Sequence, residues 1–265
     1  MNESMEVKMK KAIVIASFGC SIKYSREKYI ETIENQVKNQ YKEIDCFRVF
    51  TSEIIRRKMK REEAIETDNM TVCLEKLKKN EYTHVYVVVT HIIPGAEYYG
   101  KIISSCDKFL DSFDEIKISR PLLDEHMGNE EIELMKSYVK TELQKDEGIV
   151  LIGHGTHHDA HKYYEQFESL LKKEIPKLYM AHVEGNPYIT DILDRLREDG
   201  IRKINLYPFL IVAGDHAVND IGSDEEDSVK SQLINAGFEV CSYTTGLGAY
   251  EKTISLFINR LKEII

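Results

Sequence analysis

The sequence predicts an α/β protein made of two doubly wound parallel-sheet units. Three observations carry this. Short β-branched runs alternate with longer segments of helical periodicity. The runs are apolar almost throughout, as strands covered on both faces must be. Two stretches of the first half also recur in the second. Ile13–Gly19 (IVIASFG) corresponds to Ile149–Gly155 (IVLIGHG), and His84–Glu97 (HVYVVVTHIIPGAE) corresponds to Lys203–His216 (KINLYPFLIVAGDH). Two related halves, residues 1–127 and 128–265 joined near Asp124–Glu130, are therefore expected.

The strands are placed where β-branched and aromatic residues run together. They are Ala12–Ser17, Cys46–Phe50, His84–Thr90, Ile116–Ile118, Ile149–Ile152, Leu178–Val183, Lys203–Pro208 and Glu239–Tyr243. Helices fall where polar and apolar residues alternate with longer period: Arg26–Gln40, Met70–Lys79, Glu130–Leu143, Tyr163–Lys173, Ile189–Glu198 and Val229–Ala236.

Composition excludes several classes. The chain has 265 residues, 42% hydrophobic and 31% charged, with a formal net charge of −9. That balance opposes nucleic-acid binding, which draws on clustered Lys and Arg. The Lys runs (KMKK, RRKMKR, KKE) read as solvated faces, with Arg56, Arg57, Lys58 and Lys60 left as candidates for an anionic small molecule. The apolar runs are about half the length a membrane span requires. The N-terminus enters a strand without a secretory apolar region, so no export is expected. Five unpaired-looking cysteines, Cys20, Cys46, Cys73, Cys106 and Cys241, suit a reducing cytoplasm.

Ligands of open parallel sheets bind at the carboxyl ends of the strands. Four titratable residues fall there: His154 in GHG, Glu184 in HVEG, His216 in GDHA and Glu97 in PGAE. Two imidazoles and a carboxylate suit a divalent transition metal and can also take protons near neutral pH. Bland readings stand beside these. A lone His after a strand is often just a hydrogen-bonded loop residue, and Glu184 before Gly-Asn-Pro suits a cap for the helix near Ile189. In HGTHHDAH, the further histidines His157, His158 and His161 are expected to line the mouth of the site or face water, because a short turn cannot aim four imidazoles inward. The acidic Ser223–Ser228 run reads equally as a cation lure or as the charged first turn of the next helix. GAEYYGKI fits GxxxxGK, but Ile102 stands where a phosphate-binding loop needs Ser or Thr, so ATP binding is not expected. No GxSxG or HExxH occurs.

The sequence resembles the class II tetrapyrrole chelatases, a group that includes ferrochelatases, and within it the sirohydrochlorin cobaltochelatases of anaerobic cobalamin synthesis. The resemblance runs nearly end to end. It is carried by AIVIASFGCS (Ala12–Ser21), FRVFTSEIIRRK (Phe47–Lys58), THIIPGAEY (Thr90–Tyr98), IGHGTHH (Ile152–His158), HVEGNP (His182–Pro187) and LIVAGDHAVNDIGSDEEDS (Leu210–Ser228). It implies two Rossmann-like domains related by pseudo-two-fold symmetry around a tetrapyrrole cleft. His154 is implied as base and metal ligand, Glu184 and His216 as further ligands, and Glu97 as a substrate-facing carboxylate that shares the proton transfer. HVEGNP departs from the family pattern, which carries a Ser-Tyr pair after the Glu, and this alters the adjoining wall.

The implied function is ATP-independent insertion of Co²⁺, the substrate metal, into sirohydrochlorin, with no nucleotide and no organic cofactor. Expected contacts to the carboxylate-rich substrate are Ser17, Phe18, Gly19, Tyr24, His91, Glu97, Thr156 and His157, with Arg56 as a further donor. The implied partners are sirohydrochlorin and a divalent metal, without nucleic acid or membrane; a homo-oligomer is left open. Three alternatives stand: iron insertion for sirohaem, a metal- or tetrapyrrole-binding protein without catalysis, and a nucleotide-dependent enzyme using Gly95–Lys101.

Overall fold

A computed structural model describes residues 9–214 and 220–265. They form two four-stranded parallel sheets. The first contains β1 (Lys11–Ser17), β2 (Asp45–Phe50), β3 (His84–Val89) and β4 (Glu115–Ile118), in the order β2-β1-β3-β4. The second contains β5 (Glu147–Gly153), β6 (Leu178–His182), β7 (Lys203–Phe209) and β8 (Glu239–Ser242), in the matching order β6-β5-β7-β8. All eight expected strands are present, and the repeat read in the sequence is one of topology: β1 matches β5 and β3 matches β7.

Strand alternation sorts side chains between cores. Ala12, Val14 and Ala16 of β1 pack with Val87 and with Leu74 and Leu77 of the helix Met70–Lys79. Ile13 and Ile15 face the other way, into a core shared with Ile149 and Leu151 of β5, Tyr207 and Phe209 of β7, and Phe257 and Leu261. The two sheets are thus joined through one continuous apolar layer. This fixes the relation between their carboxyl edges.

Helix starts are capped as the residue types demand. Asn69 Oδ1 accepts from Val72 N at 2.9 Å, and Ser228 Oγ accepts from Ser231 N at 3.1 Å. The acidic run Ser223–Ser228 therefore ends on the N-cap of the helix Val229–Asn235 and puts no carboxylate in its first turn, which corrects the reading of it as that charged first turn. Among the described residues, the run 96–107 and the helix Glu251–Lys262 lie outside the named segments, while Glu53–Glu63 carries the RRKMKR run whose spacing beside Glu is helix-like. The run 96–107 passes through π-type turns over Tyr98–Ile103 that carry Gly100, a pattern without the 3.6-residue period. Among the described residues no helix is long and apolar enough to cross a membrane.

The last helix returns to the first half. Arg260, fully buried, donates to the carbonyls of Pro121 and Leu122 and, at 2.5 Å, to Glu131 Oε1. Glu131 Oε2 in turn accepts from Gly128 N at 2.7 Å, closing the start of the helix Asn129–Tyr138. The segment joining the halves is pinned by this buried charge pair. Glu131→Gln leaves the guanidinium without its counter-charge, and urea denaturation should show a loss of about 3 kcal/mol.

Candidate active site

At the second sheet, chain direction sets the geometry. Beyond β5 and β6 the two chains stay paired: Val183 N donates to Gly153 O at 3.1 Å, and Glu184 N donates to His154 O at 2.7 Å. The contact continues where only glycine fits. Gly155 has φ +77°, and a methyl there would sit 1.7 Å from Glu184 O; Gly185 has φ +88°, with Thr156 O 2.9 Å from a methyl. His154 and Glu184 thereby leave adjacent strand ends side by side. His154 Nδ1 donates to Gly155 O at 3.2 Å and lies 3.9 Å from Glu184 Oε2. A carbonyl can only accept, so this bond puts the ring proton on Nδ1 and leaves the lone pair on Nε2. Both side chains are more than 60% exposed and free to meet a guest.

Glu184 does not cap the following helix. Asp191 does so, its Oδ2 accepting from Tyr188 N at 2.7 Å. Beneath the pair lies His182, only 4% exposed, its ring 4.6 Å from that of His161 and 4.7 Å from that of Tyr164. Burial lowers the His182 pKa to about 4, so the ring is neutral. His161 therefore corrects one expectation. It packs inward on His182 rather than lining the mouth, because the 3-10 turn Asp159–His161 carries it round to the sheet. His158 is tied down locally, its Nδ1 accepting from Ala160 N at 3.0 Å, while His157 is exposed and Thr156 Oγ1 accepts from His158 N at 3.1 Å.

The first sheet repeats the backbone device with different side chains. Ser52 N donates to Phe18 O at 3.1 Å, and Gly19, at φ +106°, is pressed on the Phe50 ring. Phe18 thus holds the position that His154 holds in the other half. Ser17 is buried, accepting from Thr90 Oγ1 at 2.8 Å, while Phe18 and Tyr24 are exposed. Beyond β3, His91 Nε2 lies 3.3 Å from Thr51 Oγ1, and Glu97 Oε1 accepts from Lys101 Nζ at 2.6 Å. Lys101 Nζ also donates to Thr51 O at 3.2 Å. Burial lowers His91 to about 4, so it too is neutral.

Two groups of expected residues are thus assembled, His154 with Glu184 and His91 with Glu97, one at the carboxyl edge of each sheet. Between the halves, the Tyr99 and His158 rings stack at 6.0 Å. His216 lies outside the described residues. Its loop is followed to Gly214, where a methyl would lie 3.9 Å from Cys20 Sγ, and Ala213 O accepts from Ser25 Oγ at 3.4 Å. Arg56 lines a pocket of about 250 Å³ with Arg57, Lys60, Glu53, Glu66 and Asp68, where carboxylates match the cations in number. Sequence reading missed Thr51 and Tyr99. Both lie within quoted motifs, but each meets a partner distant in the chain that local spacing does not reveal.

Two parallel sheets of matching strand order, each with His and Glu beyond its carboxyl edge, define a two-lobed α/β fold. Solved structures agree: "SirB from Bacillus subtilis with Fe3+" superposes with a TM-score of 0.65 at 18% identity, covering 97% of this chain and 96% of that one. The chain belongs to the cobalt chelatase (CbiK) family, whose signature matches residues 11–265. It is 32% identical over 259 residues to the sirohydrochlorin cobaltochelatase of Salmonella typhimurium, covering 97% of each chain. It is 29% identical over 258 residues to sirohydrochlorin cobaltochelatase CbiKC of Nitratidesulfovibrio vulgaris, covering 95% of this chain and 89% of the relative.

Two outcomes follow from this geometry. Gly155→Ala forces a methyl into the Glu184 carbonyl at an unfavourable φ, and thermal denaturation should show a loss of about 2–4 kcal/mol. His91, neutral in the fold with a pKa of about 4 against an ordinary 6.5, takes a proton more readily when unfolded. The stability this contributes is present above pH 6.5 and is lost as pH falls towards 4. His91→Gln should flatten the stability profile over that window.

Proposed function

We propose that this chain inserts Co²⁺ into sirohydrochlorin without nucleotide or organic cofactor, residues 1–127 and 128–265 each supplying one wall of the cleft. One observation carries the reading: at both carboxyl edges, exposed apolar side chains flank the His and Glu groups. Phe18 is 49% exposed, Tyr99 50%, Val183 39% and Tyr188 41%. Apolar surface left in water marks a binding face, and these rings and methyls suit a flat macrocycle.

Chelation breaks two pyrrole N–H bonds, and the electron pairs left on nitrogen pass to the metal as it sheds water. His154 and Glu184 hold Co²⁺ with His216 as third ligand, leaving positions open towards the ring. His154 Nε2, its lone pair freed as the metal passes to the ring, and Glu97 take the two protons. The acidic protein cannot draw the substrate carboxylates by long-range charge, so local donors bind them: the turns at Ser17–Gly19 and Thr156–His157, with Tyr24 and His91. Cu²⁺ and Zn²⁺ would outcompete Co²⁺ for such ligands on affinity alone, so cellular supply selects the metal. The relatives' names favour cobalt over iron. A reducing cytoplasm suits the five cysteines, none of which is in a disulfide.

Mixing the purified protein with sirohydrochlorin and Co²⁺ should change the visible spectrum to that of the metallated ring. His154→Ala should abolish this change while the fold persists. Glu184→Ala should weaken Co²⁺ binding by at least about tenfold in calorimetry, with tetrapyrrole affinity nearly unchanged. Unaltered Co²⁺ affinity removes Glu184 from the ligand set.

A further inference from the structure

The lysine of GAEYYGKI has a defined place that phosphate binding does not explain. Lys101 Nζ is held between Glu97 Oε1 at 2.6 Å and the Thr51 carbonyl at 3.2 Å, so it ties the start of the helical run 96–107 to the end of β2. Glu97 Oε2, in contrast, is buried and has no hydrogen-bond partner among the described residues. The same holds for His91 Nδ1 close by. A buried carboxylate oxygen without a donor is costly unless a donor arrives. The pyrrole N–H of a bound tetrapyrrole is such a donor.

We propose that Lys101 is a positioning residue for the chelation step: it engages one oxygen of Glu97 so that the other stays bare and aimed at the substrate. This rests on the reading of Glu97 as a proton acceptor. The step balances without any co-reactant. The pyrrole N–H bond breaks, an O–H bond forms at Glu97 Oε2, and the electron pair stays on nitrogen for the metal. His91, neutral and fixed on Thr51, adds no competing charge beside the pair. The Lys101 side chain is 46% exposed, and an exposed pair one helical turn apart contributes little to folding. Its effect belongs to catalysis.

The test is a double-mutant cycle on the full chain, followed by the spectrum of Co²⁺ insertion. Glu97→Gln should lower kcat by about a hundredfold, the size expected for loss of a general base. Lys101→Met should lower kcat by about tenfold with the KM for sirohydrochlorin within about threefold, and Lys101→Arg should restore most of it. Melting temperature should stay within a few degrees in all three. In Glu97→Gln, adding Lys101→Met should cost nothing more, because the lysine acts through the carboxylate. A Glu97→Gln enzyme with full kcat overturns the reading of Glu97 and this inference with it. A large loss in Glu97→Gln with full kcat in Lys101→Met overturns the inference alone. So do additive losses, or a Lys101→Met defect confined to KM.

Discussion

The contact between the Gly155 α-carbon and the Glu184 carbonyl governs the second half of the molecule. Parallel strands end in register, and without further pairing their loops diverge into solvent. Here the ladder runs on through the 2.7 Å bond from Glu184 N to His154 O, and two glycines let the backbones close where no side chain fits. An imidazole and a carboxylate are thereby fixed as neighbours on exposed loop ends. The rigidity comes from main chain, and both side chains remain exposed. Buried, neutral His182 fills the space beneath them.

The first half uses the same backbone pattern for a different purpose. Phe18 and Gly19 stand where His154 and Gly155 stand, and Ser52 N bonds Phe18 O as Glu184 N bonds His154 O. The carboxylate of that half enters from the loop beyond β3 instead, anchored by Lys101 and set beside a neutral imidazole. Topological repetition gives two matching carboxyl edges, and a few side chains differ between them. In the proposed reaction one edge holds the metal and the other receives a proton. That division suits a process in which a cation enters a ring as protons leave it.

Most of the architecture was legible because buried parallel strands are nearly pure apolar runs, and their order follows from matching halves. Glu53–Glu63 showed only as a charged run at helix-like spacing, and Glu251–Lys262 declares itself only through packing on the distant first half. Within the site, His154, Glu184 and Glu97 were readable from their places after strands. The direction of His161 was not, since one 3-10 turn decides whether a ring meets water or the sheet. The Tyr99–His158 stack and the Lys101–Thr51 bond depend on tertiary closeness that no local spacing encodes.

Cobalt K-edge X-ray absorption on the protein loaded with Co²⁺ alone tests the central claim most directly. The account predicts imidazole scattering in the first shell, reduced in His154→Ala and reduced further when His216→Ala is added. A shell of oxygen ligands only, or a spectrum indifferent to His154→Ala, would contradict it.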